Sequence, residues 1–383
     1  MQRESTLRGL APLTPCLLLD QQRMDRNIAR LRARLGRLGV TLNPHFKTAK
    51  SVEVLRRIMA SPQGPCTVST LPEADSVAAA GMRNILYAVG IAPAKLPRVA
   101  MLRRLGADIS VVLDSVEQAR AISAFGDAAG ERVPTLIELD TDGHRSGVRP
   151  DDASLLLEIG RTLQAGGVEL RGVMTHAGES YKREGDDIAT IAEQERAGAV
   201  RAAALLRENG FACPTVSVGS TPTAHAARDL HGVTEVRAGV FVFFDLVMAG
   251  IGVCAVDDIA LSVLATVIGH QADRGWILLD AGWMALSRDR GTARQKVDQG
   301  YGIVCDVEGR PYEDLIVSDV HQEHGIAAVR PGSTSGLPSL PVGSLVRILP
   351  NHACATAAQH DRYHVIDGRP ARLINVWGRV RGW

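Results

Sequence analysis

Aromatic residues are scarce in this 383-residue chain, which has six Phe, five Tyr and four Trp, or 4% in all. Beside them stand 38 glycines and many alanines, so the interior has to be built from closely packed small-residue helices and tight turns. An excess of one charge is also missing, because 43 Lys plus Arg face 42 Asp plus Glu for a formal net charge of +1. The long-range attraction of a general nucleic-acid or membrane-surface binder is therefore absent, and neither partner is expected. No apolar run approaches the roughly 20 residues that span a bilayer. Residues 1–11 lack the apolar segment and small-residue cleavage site of a secretory signal. The six cysteines, Cys16, Cys66, Cys213, Cys254, Cys305 and Cys354, are scattered and form no C-x-x-C pair, which argues against a disulfide framework. A reduced, globular, cytoplasmic protein is the expectation.

What the chain does have is alternation. From Cys16 to about Phe244, short β-branched or aliphatic runs alternate with longer helical patterns, the mark of repeated βα units. Nine runs can be counted, beginning near Cys16, Val40, Cys66, Ile85, Ile109, Thr135, Leu170, Thr215 and Val233. Eight parallel strands close a (β/α)8 barrel, so one is left over, and the first is assigned to another sheet. In the helix after that run, Asp20 caps the start while Met24, Ile28, Leu31, Leu35 and Leu38 recur at helical spacing. Beyond about Gly250 the helical period gives way to strand-like runs, such as Leu261–Ile268 and Ser344–Leu349. The reading is an α/β chain with a TIM-like barrel over residues 13–250. A mostly antiparallel β-domain follows over residues 251–383, joined by the N-terminal segment 1–12.

Four segments can carry chemistry. Pro44-His45-Phe46-Lys47-Thr48 follows the second run, and in a barrel the C-terminal strand ends face the active site. A lysine there, partly desolvated, can form a Schiff base with an aldehyde; the plainer alternative is a solvated loop lysine. Asp140 to Gly147 ends the sixth run, where Arg145 can bind a phenolate or carboxylate or simply pair with Asp140 and Asp142. Ser217–Thr223 and Arg237–Val240 end the last two runs, where glycine turns and hydroxyls often cradle phosphate but are also common turn chemistry. His352-Ala353-Cys354 lies in the β-domain, and on a strand positions i and i+2 share a face. Imidazole plus thiolate suits Zn²⁺ better than Mg²⁺ or Ca²⁺, and the alternative is a buried thiol beside a structural histidine.

In this order the segments resemble the fold-type III pyridoxal-phosphate enzymes, whose barrel is shared with alanine racemase. Within them the chain is similar to the D-serine dehydratase and D-threonine aldolase family. The resemblance implies that Lys47 stands where the family's cofactor-bonding lysine stands. It also implies that Arg145 meets the cofactor's phenolic oxygen, and that Gly219, Ser220, Thr221, Gly239 and Val240 hold its phosphate. His176, where relatives often carry tyrosine, and Arg237 are rival partners for the pyridine nitrogen, with a packing role the alternative for His176; Tyr181 is a further cofactor-binding candidate. His352 and Cys354 match the family's metal pair, where aldolase members typically carry His-x-Asp, so the dehydratase branch is favoured. The metal expected is Zn²⁺ by ligand type, with Mg²⁺ or Mn²⁺ as alternatives.

The activity so implied is loss of the β-hydroxyl from D-threo-3-hydroxyaspartate or D-serine, giving oxaloacetate or pyruvate plus ammonia. A metal-dependent aldolase giving glycine and an aldehyde is the rival. A non-catalytic pyridoxal-phosphate carrier is a third reading, although such carriers lack the β-domain. Family likeness also implies a homodimer. Gln322, Glu323 and His324 are candidates for the substrate's distal group, and Arg288, Arg290 and Arg294 for a β-carboxylate.

Overall fold

The computed structural model describes residues 12–143, 145–368 and 370–383, so most of segment 1–12 lies outside the described residues. Up to residue 238 the strands are β1 (Cys16–Asp20), β2 (Thr41–Pro44), β3 (Cys66–Val68), β4 (Asn84–Gly90), β5 (Asp108–Leu113), β6 (Thr135–Leu139), β7 (Leu170–Thr175), β8 (Thr215–Val218) and β9 (Glu235–Ala238). The rest are β10 (Leu261–Gln271), β11 (Trp276–Leu279), β12 (Ile303–Cys305), β13 (Pro311–Val320), β14 (Gly325–Val329), β15 (Leu345–Leu349), β16 (Arg362–Asp367) and β17 (Arg372–Gly378). Among the described residues the chain forms two compact units. One holds the described residues through Ala29 together with Val240–Arg381, and the other holds Arg30–Gly239 with Gly382–Trp383.

The second unit is the barrel. Strands β2 to β9 form one parallel sheet in the order β2-β9-β8-β7-β6-β5-β4-β3, with helices between successive strands. Strand β1 is the run left over, pairing antiparallel with β10 and parallel with β16. The helix Gln21–Arg37 forms as its pattern dictates: Asp20 accepts the Arg23 amide at 3.0 Å, and Met24, Ile28, Leu31 and Leu35 are buried. The long helix Asp186–Glu208 buries Ile188, Ala192, Ala199, Ala202, Ala203 and Leu206 on one side, the small-residue packing anticipated from composition.

The barrel seam between β2 and β3 is closed by little main-chain pairing. A single bridge joins His45 to Thr67, with the Phe46 amide donating to the Thr67 carbonyl at 2.8 Å. Side chains complete it. Asn43 accepts the Thr67 hydroxyl at 2.8 Å and donates to both Glu235 carboxylate oxygens at 3.1 Å.

The first unit is built on a nine-stranded sheet in the order β11-β14-β13-β12-β15-β10-β1-β16-β17, antiparallel except at β1–β16. Three of its strands, β12, β13 and β14, have no counterpart in the sequence reading. One expectation is corrected here: His352 and Cys354 do not lie on a strand. Strand β15 ends at Leu349 before Pro350, and His352 precedes the helix Ala353–Ala358. The buried Asp245 carboxylate accepts the Ala353 amide at 2.9 Å, which caps the chain into a helical turn in place of a ladder.

The seam generates a prediction. Asn43→Ala leaves the buried Thr67 hydroxyl without its acceptor, and should cost about 1–3 kcal/mol of stability. The urea midpoint should fall with an unchanged slope, whereas an unchanged midpoint would show that the seam closes without Asn43.

Candidate active site

All the barrel-borne candidates follow strand ends at the C-terminal rim, except Arg237, which lies within β9. Lys47 comes three residues after β2, and its side chain is exposed, so the protein's own atoms do not supply the desolvation anticipated for it. Its amide donates to His45 Nδ1 at 3.4 Å, and His45 Nε2 lies 3.4 Å from the Ser69 hydroxyl. An acceptor role at Nδ1 places the proton of the neutral ring on Nε2. His176 is arranged the opposite way. Its Nδ1 lies 3.1 Å from the Gly219 carbonyl, which can only accept, so Nδ1 carries the proton and Nε2 is left as an acceptor. The His176 and Tyr181 rings are 6.1 Å apart.

Both imidazoles are held neutral. Burial and then the Lys47 charge push His176 down to about 3, against the Gly219 hydrogen bond and aided by Arg145 and Arg237. His45 is also driven well below its ordinary value, by burial first and then by Lys47, Arg237, His176 and Arg145. Three cationic side chains therefore act on one pair of rings.

Arg145 pairs with the buried Glu138 at 3.3 Å. Asp140 instead caps the turn by accepting the Gly143 amide at 2.7 Å, and Asp142 accepts the Glu179 amide at 2.9 Å. Arg237 is 4% exposed; it donates to the Ser217 hydroxyl at 2.9 Å and to the Thr175 carbonyl. Burial pulls its pKa down, and the nearby Glu235, Glu195 and Glu138 charges oppose that pull.

Two glycines allow close approach. Gly219 has φ +131°, and a Cβ there would lie 2.3 Å from the Arg237 carbonyl oxygen; at Gly239 it would lie 2.7 Å from the Thr48 hydroxyl. Ser220 forms a capping box with Thr223, donating its amide to the Thr223 hydroxyl at 3.0 Å and accepting the Thr223 amide at 3.2 Å. Thr221 opens the short helix Thr221–Ala226, and Val240 opens a 3-10 turn directly after Gly239. Lys47 and Arg145 on the rim, with Arg237 buried beneath and glycine turns and hydroxyls beside them, could hold an anionic ligand.

In the other unit, His352 Nδ1 lies 2.9 Å from Asp289, a residue that sequence reasoning missed. Burial pulls the His352 pKa down, yet hydrogen bonds to Asp289 and Cys354, with the charges of Cys354 and Asp245, push it up to about 11. The Asp289 bond leaves Nε2 as the ring nitrogen for an ion, with the Cys354 thiol beside it. Asp289 also accepts the Gly291 amide at 2.7 Å. The turn containing Gln322 and His324 is exposed, and its His321 and Gln322 carbonyls accept the Trp283 and Met284 amides at 2.9 and 3.2 Å. The helix Trp283–Leu286 is in turn tied to the Cys354 helix, because the Thr356 hydroxyl donates to the Leu286 carbonyl at 2.8 Å. Arg290 is paired with Asp298 at 2.6 Å, and Arg288 stacks on Trp283.

A parallel barrel with lysine, arginine and glycine turns on its rim, followed by an antiparallel sheet unit, defines the alanine racemase class of fold. Residues 19–247 match the alanine racemase N-terminal domain, and residues 260–366 match the serine dehydratase domain. The chain belongs to the family that joins these two domains. It is 55% identical to D-threo-3-hydroxyaspartate dehydratase of Delftia sp. (strain HT23) over 97% of this chain and 98% of that one. The solved structure of that enzyme superposes with a TM-score of 0.95, covering 99% of this chain and all of the other at 54% identity. The same enzyme has been solved as a histidine-to-alanine variant and, metal-free, as a cysteine-to-alanine variant. D-serine dehydratase of Dictyostelium discoideum is 29% identical over 97% of each chain. D-threonine aldolase of Arthrobacter sp. is 30% identical over 95% of this chain and 91% of its own.

The neutral rings make a prediction. A histidine whose folded pKa is depressed contributes stability above its unfolded pKa of about 6.5, lost as pH falls below it, at up to roughly 1.4 kcal/mol per pH unit. Urea unfolding at pH 7 and at pH 5 should therefore show a smaller acid penalty in His176→Asn than in the parent; an equal penalty would mean that His176 is protonated in the fold.

Proposed function

We propose that the protein is a pyridoxal-phosphate- and divalent-metal-dependent dehydratase of D-3-hydroxy amino acids, releasing keto acid and ammonia. D-threo-3-hydroxyaspartate, giving oxaloacetate, is the leading substrate and D-serine, giving pyruvate, the second. The observation that carries the reading is His352-x-Cys354, with Asp289 orienting the histidine, in a chain 55% identical to a dehydratase. The histidine and cysteine changed in that dehydratase's variants are likewise two positions apart.

We assign cofactor binding to residues 13–250 and the ion to residues 251–383. Lys47 would carry the cofactor aldehyde, Arg145 would face the phenolic oxygen, and Ser220, Thr221, Gly239 and Val240 would line the phosphate turn. His176 with Tyr181 would flank the ring, and Arg237 would support it from the interior. When bound, pyridoxal phosphate supplies the electron sink that lets a Cα–H bond ionise. When its amine is free, Lys47 would accept the α-proton on its Nζ. Neutral His45 and His176 leave Lys47 as the rim base, since neither imidazole gains a proton readily there. His352 Nε2 and the Cys354 thiolate would hold the ion, which supplies a Lewis acid for the β-hydroxyl as it departs. Zn²⁺ fits the ligand types, with Mg²⁺ or Mn²⁺ as alternatives. Gln322 and His324 are assigned to the substrate's distal group. We further assign a homodimeric, cytoplasmic enzyme; among the described residues no helix is long and apolar enough to cross a membrane.

The test is to incubate cofactor-loaded protein with D-threo-3-hydroxyaspartate, D-serine and D-threonine, with and without chelator, and to quantify keto acid, ammonia and glycine. Chelator-sensitive keto acid and ammonia are expected, and Cys354→Ala should abolish them while leaving cofactor uptake intact. Glycine plus aldehyde would replace this reading with the aldolase one. Cofactor uptake without any turnover would make the protein a carrier. Asp289→Asn should weaken Zn²⁺ binding by about 10–100-fold, measured by calorimetry, and unchanged affinity would remove Asp289 from the ion's support.

A further inference from the structure

We propose that Glu195 is the positioning residue that shapes the turn assigned to the cofactor's phosphate. The inference rests on the cofactor reading above. Glu195 sits in the middle of the helix Asp186–Glu208 on the face that packs inward, and it is 2% exposed. A carboxyl so far from water has to be fully hydrogen-bonded.

Its partners are specific. Oε1 accepts the Ala177 amide and the Gly219 amide, each at 3.0 Å, and the Thr223 hydroxyl bonds to the same carboxyl. Ala177 lies two residues beyond β7, and Gly219 directly follows β8. The β7–β8 ladder ends at Met174 opposite Ser217, so both amides lie past the last paired residues. One carboxylate oxygen thus does for both chain ends what a further ladder rung would have done. A second tie crosses the same gap, because His176 Nδ1 donates to the Gly219 carbonyl at 3.1 Å.

The consequence reaches the phosphate turn. The Thr223 oxygen, bonded to the Glu195 carboxyl, accepts the Ser220 amide at 3.0 Å and stands 3.0 Å from the Ser220 hydroxyl. Ser180 bonds that hydroxyl at 2.9 Å and donates to the Ala177 carbonyl at 2.6 Å. The amides of Gly219 and Ser220 are consumed inside the protein. Their contribution is the path of the chain from 219 to 223, and that path is anchored on Glu195. Glutamine offers one carbonyl oxygen at the same reach and can accept both amides, whereas alanine offers none.

A phosphate-specific role differs from a general structural one in what it moves. Cofactor-stripped parent, Glu195→Gln, Glu195→Ala and Thr223→Val proteins are titrated with pyridoxal 5'-phosphate and with pyridoxal, which lacks the phosphate, following absorbance of the bound form. Glu195→Ala should weaken pyridoxal 5'-phosphate about tenfold or more and pyridoxal less than about threefold. Glu195→Gln should stay within about threefold of the parent for both ligands, and Thr223→Val should fall between the two. If Glu195→Ala does not fold, Thr223→Val decides by the same ratio of the two ligands. Equal weakening of both ligands, unaltered binding in the variants, or Glu195→Gln as poor as Glu195→Ala would overturn the proposal alone. A parent protein that takes up neither ligand would overturn the proposed function and this inference with it.

Discussion

A guanidinium sealed inside a parallel barrel has to be neutralised and hydrogen-bonded by the strands around it, and Arg237 sets that condition for the whole rim. Its donors reach Ser217 and Thr175; Ser217 gives its own proton to Glu235 at 2.6 Å, Glu235 accepts Asn43, and Asn43 accepts Thr67. The chain of bonds runs from β7 through β8 and β9 to β2 and β3, across the seam that main-chain pairing barely closes. In a low dielectric such a network is stabilising only when every member is satisfied. The same residues that hold Arg237 therefore hold the barrel shut, and they fix the strand ends from which Lys47, His176 and Gly219 emerge.

Above that belt the electrostatics are one-sided. Glu138 offsets Arg145, and the interior acids offset Arg237, while Lys47 is exposed and His45 and His176 stay uncharged. The two rings have opposite proton placements, each fixed by a partner with only one possible role. Burial and the neighbouring cationic side chains both disfavour a charge on either ring.

Much of this was legible from periodicity and strand-end position. The spare first run, the eight barrel strands and the rim location of Lys47, Arg145 and Gly219 follow from alternation and from where barrel loops sit, whereas His176 came only with the family resemblance. Strand β13 is hard to read because Glu313, Asp314 and Asp319 interrupt its apolar pattern, and β12 and β14 are only three and five residues long. The helical setting of His352 and Cys354 escaped because its cap, Asp245, comes from 108 residues away. Glu195 was missed for a different reason. With Ile188, Ala192, Ala199, Ala202 and Leu206 it falls on one helical stripe, and an acid on an otherwise apolar stripe was a visible signal of a buried, committed carboxylate.

The acids near His352 and Cys354, the proposed metal pair, bear on what kind of site it can be. Asp245 spends one oxygen on the Met248 amide and the other on the Ala353 amide, both at 2.9 Å. Asp289 spends one on the Gly291 amide at 2.7 Å and the other on His352 at 2.9 Å. Each carboxylate is thus tied to two donors, and among the described residues no group of three His, Cys, Asp or Glu gathers to hold an ion. A structural zinc centre needs four protein ligands, and this one offers His352 and Cys354. The remaining positions of a bound ion would fall to water or to substrate oxygens, which is the condition for an ion that acts on a hydroxyl and not for one that only braces the fold.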